Sequence, residues 1–147
     1  MTTCEFAAIG WVITLFGLFV TNHQANQRVT RNEIRAKLDQ LNRELNSLLD
    51  ASKNYYLDES TQLNIQIISI HNAINICDRL IVELSKSSQP IDLEKNFNCI
   101  FELVTGGNFE SKNHRPGDEH TLLCKMISLQ KESLLKNVED WYRRIFH

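Results

Sequence analysis

In the stretch NHRPGDEH, residues 113–120, four residues separate Arg115 from His120. A neutral imidazole can take a proton from a ribose 2′-hydroxyl or return one to a leaving oxygen. A guanidinium beside it can bind a phosphate and the negative charge that grows on it. The two side chains together could break an RNA strand without a metal ion. The same residues also have an ordinary reading. Pro116 and Gly117 suit the centre of a type II turn with Gly117 at positive φ, and Asp118 suits the cap of a following helix. Such a turn is expected to bring Arg115 back beside His120. Short motifs of this kind recur by chance, so a polar turn before a helix is the plainer alternative.

Other reactive side chains have structural explanations. Arg143, Arg144 and His147 fit the negative end of a last helical turn. Tyr55 and Tyr56 are expected to pack at a helix end, and His71 to lie on the polar flank of a helix. Cys4, Cys77, Cys99 and Cys124 are far apart with no Cys-x-x-Cys pair, which favours reduced core thiols over disulfides or a metal centre. The sequence shows no metal-ligand cluster and no motif calling for a cofactor.

The elements that must position Arg115 and His120 are helical. The chain has 147 residues, a formal net charge of −2, five Gly and two Pro. That length supports one small domain with a short appendage, and the near-neutral balance provides no global field for nucleic acid. Ile34, Leu38, Leu41, Leu45 and Leu48 recur at steps of three and four, predicting an amphipathic helix over 26–55. A break is expected at Leu57–Ser60. A second helix is predicted over 61–86, with a seam of Leu63, Ile67, Ile70, Ile74, Cys77, Ile81 and Leu84. Asp92 is placed to cap a third helix over 93–104, whose core side is Phe97, Ile100, Phe101 and Val104. After a polar loop over 106–117, a last helix runs over 119–146. Leu122, Leu123, Met126, Leu129, Leu134, Val138, Trp141, Ile145 and Phe146 are expected to face inward from it. No stretch alternates as a half-buried strand would.

The N-terminal run Phe6–Val20 is apolar on every face and uncharged. It spans about 23 Å as a helix, slightly less than a bilayer core. The preceding MTTCE lacks the basic residues of a signal peptide, and His23 spoils the nearest cleavage site. A transmembrane helix is the expectation. Arg28, Arg31, Arg35 and Lys37 on its C-terminal flank place the N-terminus outside and the rest of the chain in the cytoplasm. The domains are then a membrane segment over 1–25 and a helical bundle over 26–147. Ala7, Gly10, Thr14, Gly17 and Thr21 form a small-residue stripe along one face, where membrane helices can approach closely. In a ring of copies, Glu5 would form an acidic collar at the pore mouth.

An N-terminal membrane helix, a four-helix bundle and Arg115-x-x-x-x-His120 before the last helix resemble the HEPN superfamily. In plan the chain is most similar to the membrane-anchored HEPN-like accessory proteins of type VI-B, RNA-targeting CRISPR systems. The resemblance covers the whole chain as architecture and rests at residue level on Arg115 and His120. It implies a homo-oligomer in the bacterial inner membrane that strengthens RNA-guided antiviral defence by permeabilising that membrane. It also implies a link to an RNA-guided nuclease or its products. Where catalytic members commonly follow the Arg with a polar residue, Pro116 stands here, which favours a contact or trigger role over cleavage. The leading expectation is thus an all-α membrane effector that forms a pore. The alternatives are a membrane-tethered, metal-independent ribonuclease that binds RNA directly, and a passive anchor that recruits a partner protein.

Overall fold

A computed structural model describes residues 3–58, 62–86, 92–107, 109–111 and 114–146, with backbone alone for 3–10, 12 and 13. Four α-helices follow one another: α1 (Thr3–Leu57), α2 (Leu63–Ser85), α3 (Glu94–Thr105) and α4 (Thr121–Phe146). A 3-10 turn, Asp118–His120, leads into α4. Helix is the only regular structure among the described residues, as the all-α expectation requires.

The chain divides into two compact units, Met1–Ala36 and Lys37–His147. The expected boundary at 25/26 is not a break in structure, because α1 continues through it. No Pro or Gly follows Gly17 within this helix, so nothing in the backbone interrupts it. Residues 26–36 carry few apolar side chains, and the buried seam starts only at Leu38.

In the first unit every described side chain up to Glu33 is exposed. Trp11, Leu15, Phe16, Leu18 and Phe19 are each more than 60% open. Thr14, Gly17 and Thr21 of the small-residue stripe are exposed, and the Thr21 hydroxyl donates to the Gly17 carbonyl at 2.8 Å. The side chains of Glu5, Ala7 and Gly10 lie outside the described residues, so neither the full stripe nor the collar is seen. Among the described residues no helix is long and apolar enough to cross a membrane.

The second unit holds the core. Leu38, Leu41, Leu45 and Leu48 of α1 are buried with Ile70, Cys77, Ile81 and Leu84 of α2, Phe97, Ile100 and Val104 of α3, and Leu134, Val138 and Trp141 of α4. Each fully buried Leu or Ile contributes about 1.5–3 kcal/mol. Leu93, not the expected Asp92, holds the cap position of α3, and the Asp92 carboxylate accepts from the Lys95 N–H at 3.4 Å just ahead of it. On the surface Lys37 pairs with Glu83 at 3.0 Å and holds that carboxyl below its usual range, chiefly through their hydrogen bond.

The inward face of α4 is as expected at Leu134, Val138 and Trp141 and differs in the first half of the helix. Leu122, Met126 and Leu129 are 68%, 44% and 55% exposed, and Phe101 of α3 is 42% exposed. The face that packs is Cys124, Ile127, Leu134, Val138, Trp141 and Tyr142. Two apolar stripes share this helix at similar spacing, and only the neighbouring helices select between them.

Cys77 and Cys124 are buried free thiols, whereas Cys99, expected in the core, is exposed. Burial, aided by the nearby Glu44 carboxylate, pushes the Cys77 thiol up to about 12. Thiolate is the reactive form. At pH 8 a thiol-modifying reagent is therefore expected to label Cys99 in the native protein and leave Cys77 untouched until denaturant is added. Mass spectrometry of the labelled peptides checks this; native labelling of Cys77 would contradict its burial.

Candidate functional site

The residues around His120 meet at the C-terminal end of α1. A helix leaves its last carbonyls without partners inside the helix. Here the loop between α3 and α4 supplies them. The His114 Nε2–H donates to the Tyr55 carbonyl at 3.0 Å, and the Gly117 N–H donates to the Tyr56 carbonyl at 2.9 Å. The loop thus caps α1 from a distance in sequence. The cap explains the extended backbone of Gly117, with φ 168° and ψ 170°, which replaces the expected type II turn. Gly117 occupies the cap position of the 3-10 turn, and Asp118 is already inside that turn instead of preceding it.

Two adjacent tyrosines serve as pegs for the same loop. The Tyr56 hydroxyl donates to the Val104 carbonyl at 2.7 Å, tying α1 to the end of α3. The Tyr55 hydroxyl accepts from the Glu110 N–H at 2.9 Å. Burial raises both phenols above their ordinary value, so both stay protonated. Glu110 is in the left-handed region at φ 57°, a conformation that costs a non-glycine residue about 1–2 kcal/mol. The Tyr55 bond helps hold it there. So does His71, whose Nε2 lies 2.6 Å from a Glu110 carboxylate oxygen. His71 is on the polar flank expected for it, yet it has a specific partner.

An aromatic stack fills the space beneath. The His114 ring lies on Tyr55 with centroids 4.2 Å apart and planes 8° apart. His120 lies 5.2 Å from Tyr56 and 5.4 Å from His114. His114 is buried, and its Nδ1 has no hydrogen-bond partner among the described residues. Because the Tyr55 carbonyl can only accept, the proton belongs on Nε2, and the buried Nδ1 presents a bare lone pair.

Arg115 and His120 are brought together, but through the backbone. His120 Nε2 is 3.1 Å from the Arg115 carbonyl oxygen, and 3.4 Å from a Glu119 carboxylate oxygen. The Arg115 residue is exposed. A ribonuclease would need the guanidinium and the imidazole to converge on one phosphate. In this arrangement the ring nitrogen nearest Arg115 is already engaged with its carbonyl.

His120 also lines a cleft of about 340 Å³ with Tyr56, Leu103, Leu123, Glu102 and the two glycines after α3. No group of three or more His, Cys, Asp or Glu able to hold a metal occurs among the described residues. Sequence reasoning found Arg115 and His120 but missed His114, Glu110 and the carbonyl ends of α1. Their partners are distant in the chain, and no local pattern signals them. In comparisons with known proteins, no protein family, no curated protein and no solved structure matches this chain.

Proposed function

We propose that the chain is a membrane-anchored accessory effector of antiviral defence, whose copies associate in the bacterial inner membrane and make it leaky. The observation that carries this reading is the uncovered apolar surface of α1. Trp11, Leu15, Phe16, Leu18 and Phe19 are open to the surroundings along one broad face of the helix. Exposed apolar surface of this kind marks a membrane or protein contact.

The length of the apolar run supports association. Phe6–Val20 reaches about 23 Å against a hydrocarbon core of about 30 Å. A short segment adapts by thinning the bilayer, by letting flanking charged side chains reach the interface, or by oligomerising. Arg28, Arg31 and Arg35 stand on the flank to do the second with the N-terminus outside. Gly17 has open space around it, so a neighbouring helix can approach there. The link to RNA-guided defence rests on the HEPN-like resemblance.

Purified protein added to dye-loaded liposomes of bacterial lipids is expected to release the dye. Gly17→Leu should reduce the release at least several-fold while the protein stays folded. Wild-type protein that binds the vesicles without leakage, whether or not a guide-nuclease product is added, would reduce the chain to a passive anchor. His120→Ala, assayed alongside with labelled RNA, separates the ribonuclease reading, which requires metal-independent cleavage lost in that variant.

A further inference from the structure

The cleft beside His120 offers hydrogen-bond acceptors and little else that is polar. Glu102 is an exposed lining residue, and its side chain ends in a carboxylate, which only accepts. The Arg115 carbonyl, 3.1 Å from His120 Nε2, can only accept, so in the neutral ring Nε2 carries the proton and Nδ1 is an acceptor. The C-terminal end of α3 opens at the same place, because Glu102, Leu103, Gly106 and Gly107 all line the cleft. That end carries roughly half a negative charge from the aligned peptides. Among the described residues no Lys or Arg lines the cleft, and Glu119, 3.4 Å from His120, adds a further negative charge nearby.

The walls are apolar. Leu103 and Leu123 line the cleft together with Tyr56, whose hydroxyl is turned to Val104. The two glycines keep the end of α3 open. A Cβ on Gly106 would sit 2.5 Å from the Glu102 carbonyl oxygen, so no side chain fits there without moving backbone. Gly107 lies at φ 63° with empty space around its Cβ direction. A donor set of one carboxylate and one imidazole is too small for a metal ion but suits a group with several N–H donors.

We propose that this cleft binds a primary alkylammonium group, its N–H donors shared between the Glu102 carboxylate and His120 Nδ1 and its aliphatic stem lying along Leu103 and Leu123. Tyr56 and His120 also belong to the cap of α1, so an occupant braces the loop against that helix end. The proposal is independent of the membrane reading, since every residue in it belongs to the unit Lys37–His147.

The test uses the full chain in a non-ionic detergent. Binding of 1,4-diaminobutane, spermidine and an N- and C-blocked lysine is followed by calorimetry and by the thermal midpoint. The uncharged 1,4-butanediol and tetramethylammonium, which has no N–H, serve as controls. Saturable binding of at least one amine, a raised midpoint and no response to either control are expected. Glu102→Gln, at an exposed position that leaves the core intact, should weaken binding by about tenfold, the loss of one charge-assisted hydrogen bond. Tighter binding of the free amines assigns the occupant to a small polyamine, and tighter binding of the blocked lysine assigns it to a lysine side chain of a partner. Absence of saturable binding by all three amines, equal binding of tetramethylammonium, or unchanged affinity in a folded Glu102→Gln protein would overturn the proposal.

Discussion

Tyr56→Ala is expected to lower the stability of the protein by about 3–5 kcal/mol, the usual cost of truncating a large buried aromatic side chain. Tyr56 is 1% exposed and meets four groups, three rings and a carbonyl. Its ring contacts those of Tyr55, His114 and His120, and its hydroxyl reaches Val104. Against a total stability of about 5–15 kcal/mol for a domain of this size, the loss is a large fraction. Tyr56→Phe separates the two contributions. It keeps the ring and removes only the hydroxyl, leaving the fully buried Val104 carbonyl without that donor, at about 1–3 kcal/mol. Urea denaturation followed by tryptophan fluorescence measures both, since Trp141 is in the same core. A Tyr56→Ala protein with an unshifted midpoint would mean that the loop does not depend on this ring.

His114→Ala should cost about 2–4 kcal/mol. The estimate combines an unpaired buried carbonyl with the loss of a stacked ring. The substitution leaves the Tyr55 carbonyl uncapped and removes the ring that lies flat on Tyr55. His114→Phe keeps a stacking ring without the donor, so it is expected to fall between wild type and His114→Ala. Hydrogen exchange gives a local readout. The Gly117 N–H bonded to the Tyr56 carbonyl should exchange faster in His114→Ala, because the two bonds cap the same helix end. Unchanged protection of Gly117 would show that the loop is held by other contacts.

The helical plan was legible because period-3.6 burial leaves a local trace. The seam from Leu38 to Leu48 needed only the spacing of leucines, and the ends of α3 were marked by Asp92 and by the glycine pair at 106–107. The inward face of α4 was less legible. Leu122, Met126 and Leu129 match a helical stripe as well as Cys124, Ile127 and Leu134 do, and the choice is made by which neighbour arrives. At the site, Arg115 and His120 are near each other as expected, but not through the expected type II turn, because Gly117 is extended. The kind of contact could not be read, since a carbonyl and a guanidinium of the same residue are indistinguishable in a spacing argument. His114 left no trace at all. Its partner is a backbone atom 59 residues away, and main-chain carbonyls are the same in every sequence.

The distance between α1 and its cap has a consequence for the order of events during synthesis. Tyr55 leaves the ribosome 59 residues before His114. At about 5–20 residues per second, that interval lasts roughly 3–12 s. For that time the whole of α1 exists with an unfinished C-terminal end and a half-formed seam. The apolar N-terminal part of α1 is therefore synthesised well before the loop that completes the far end of the same helix.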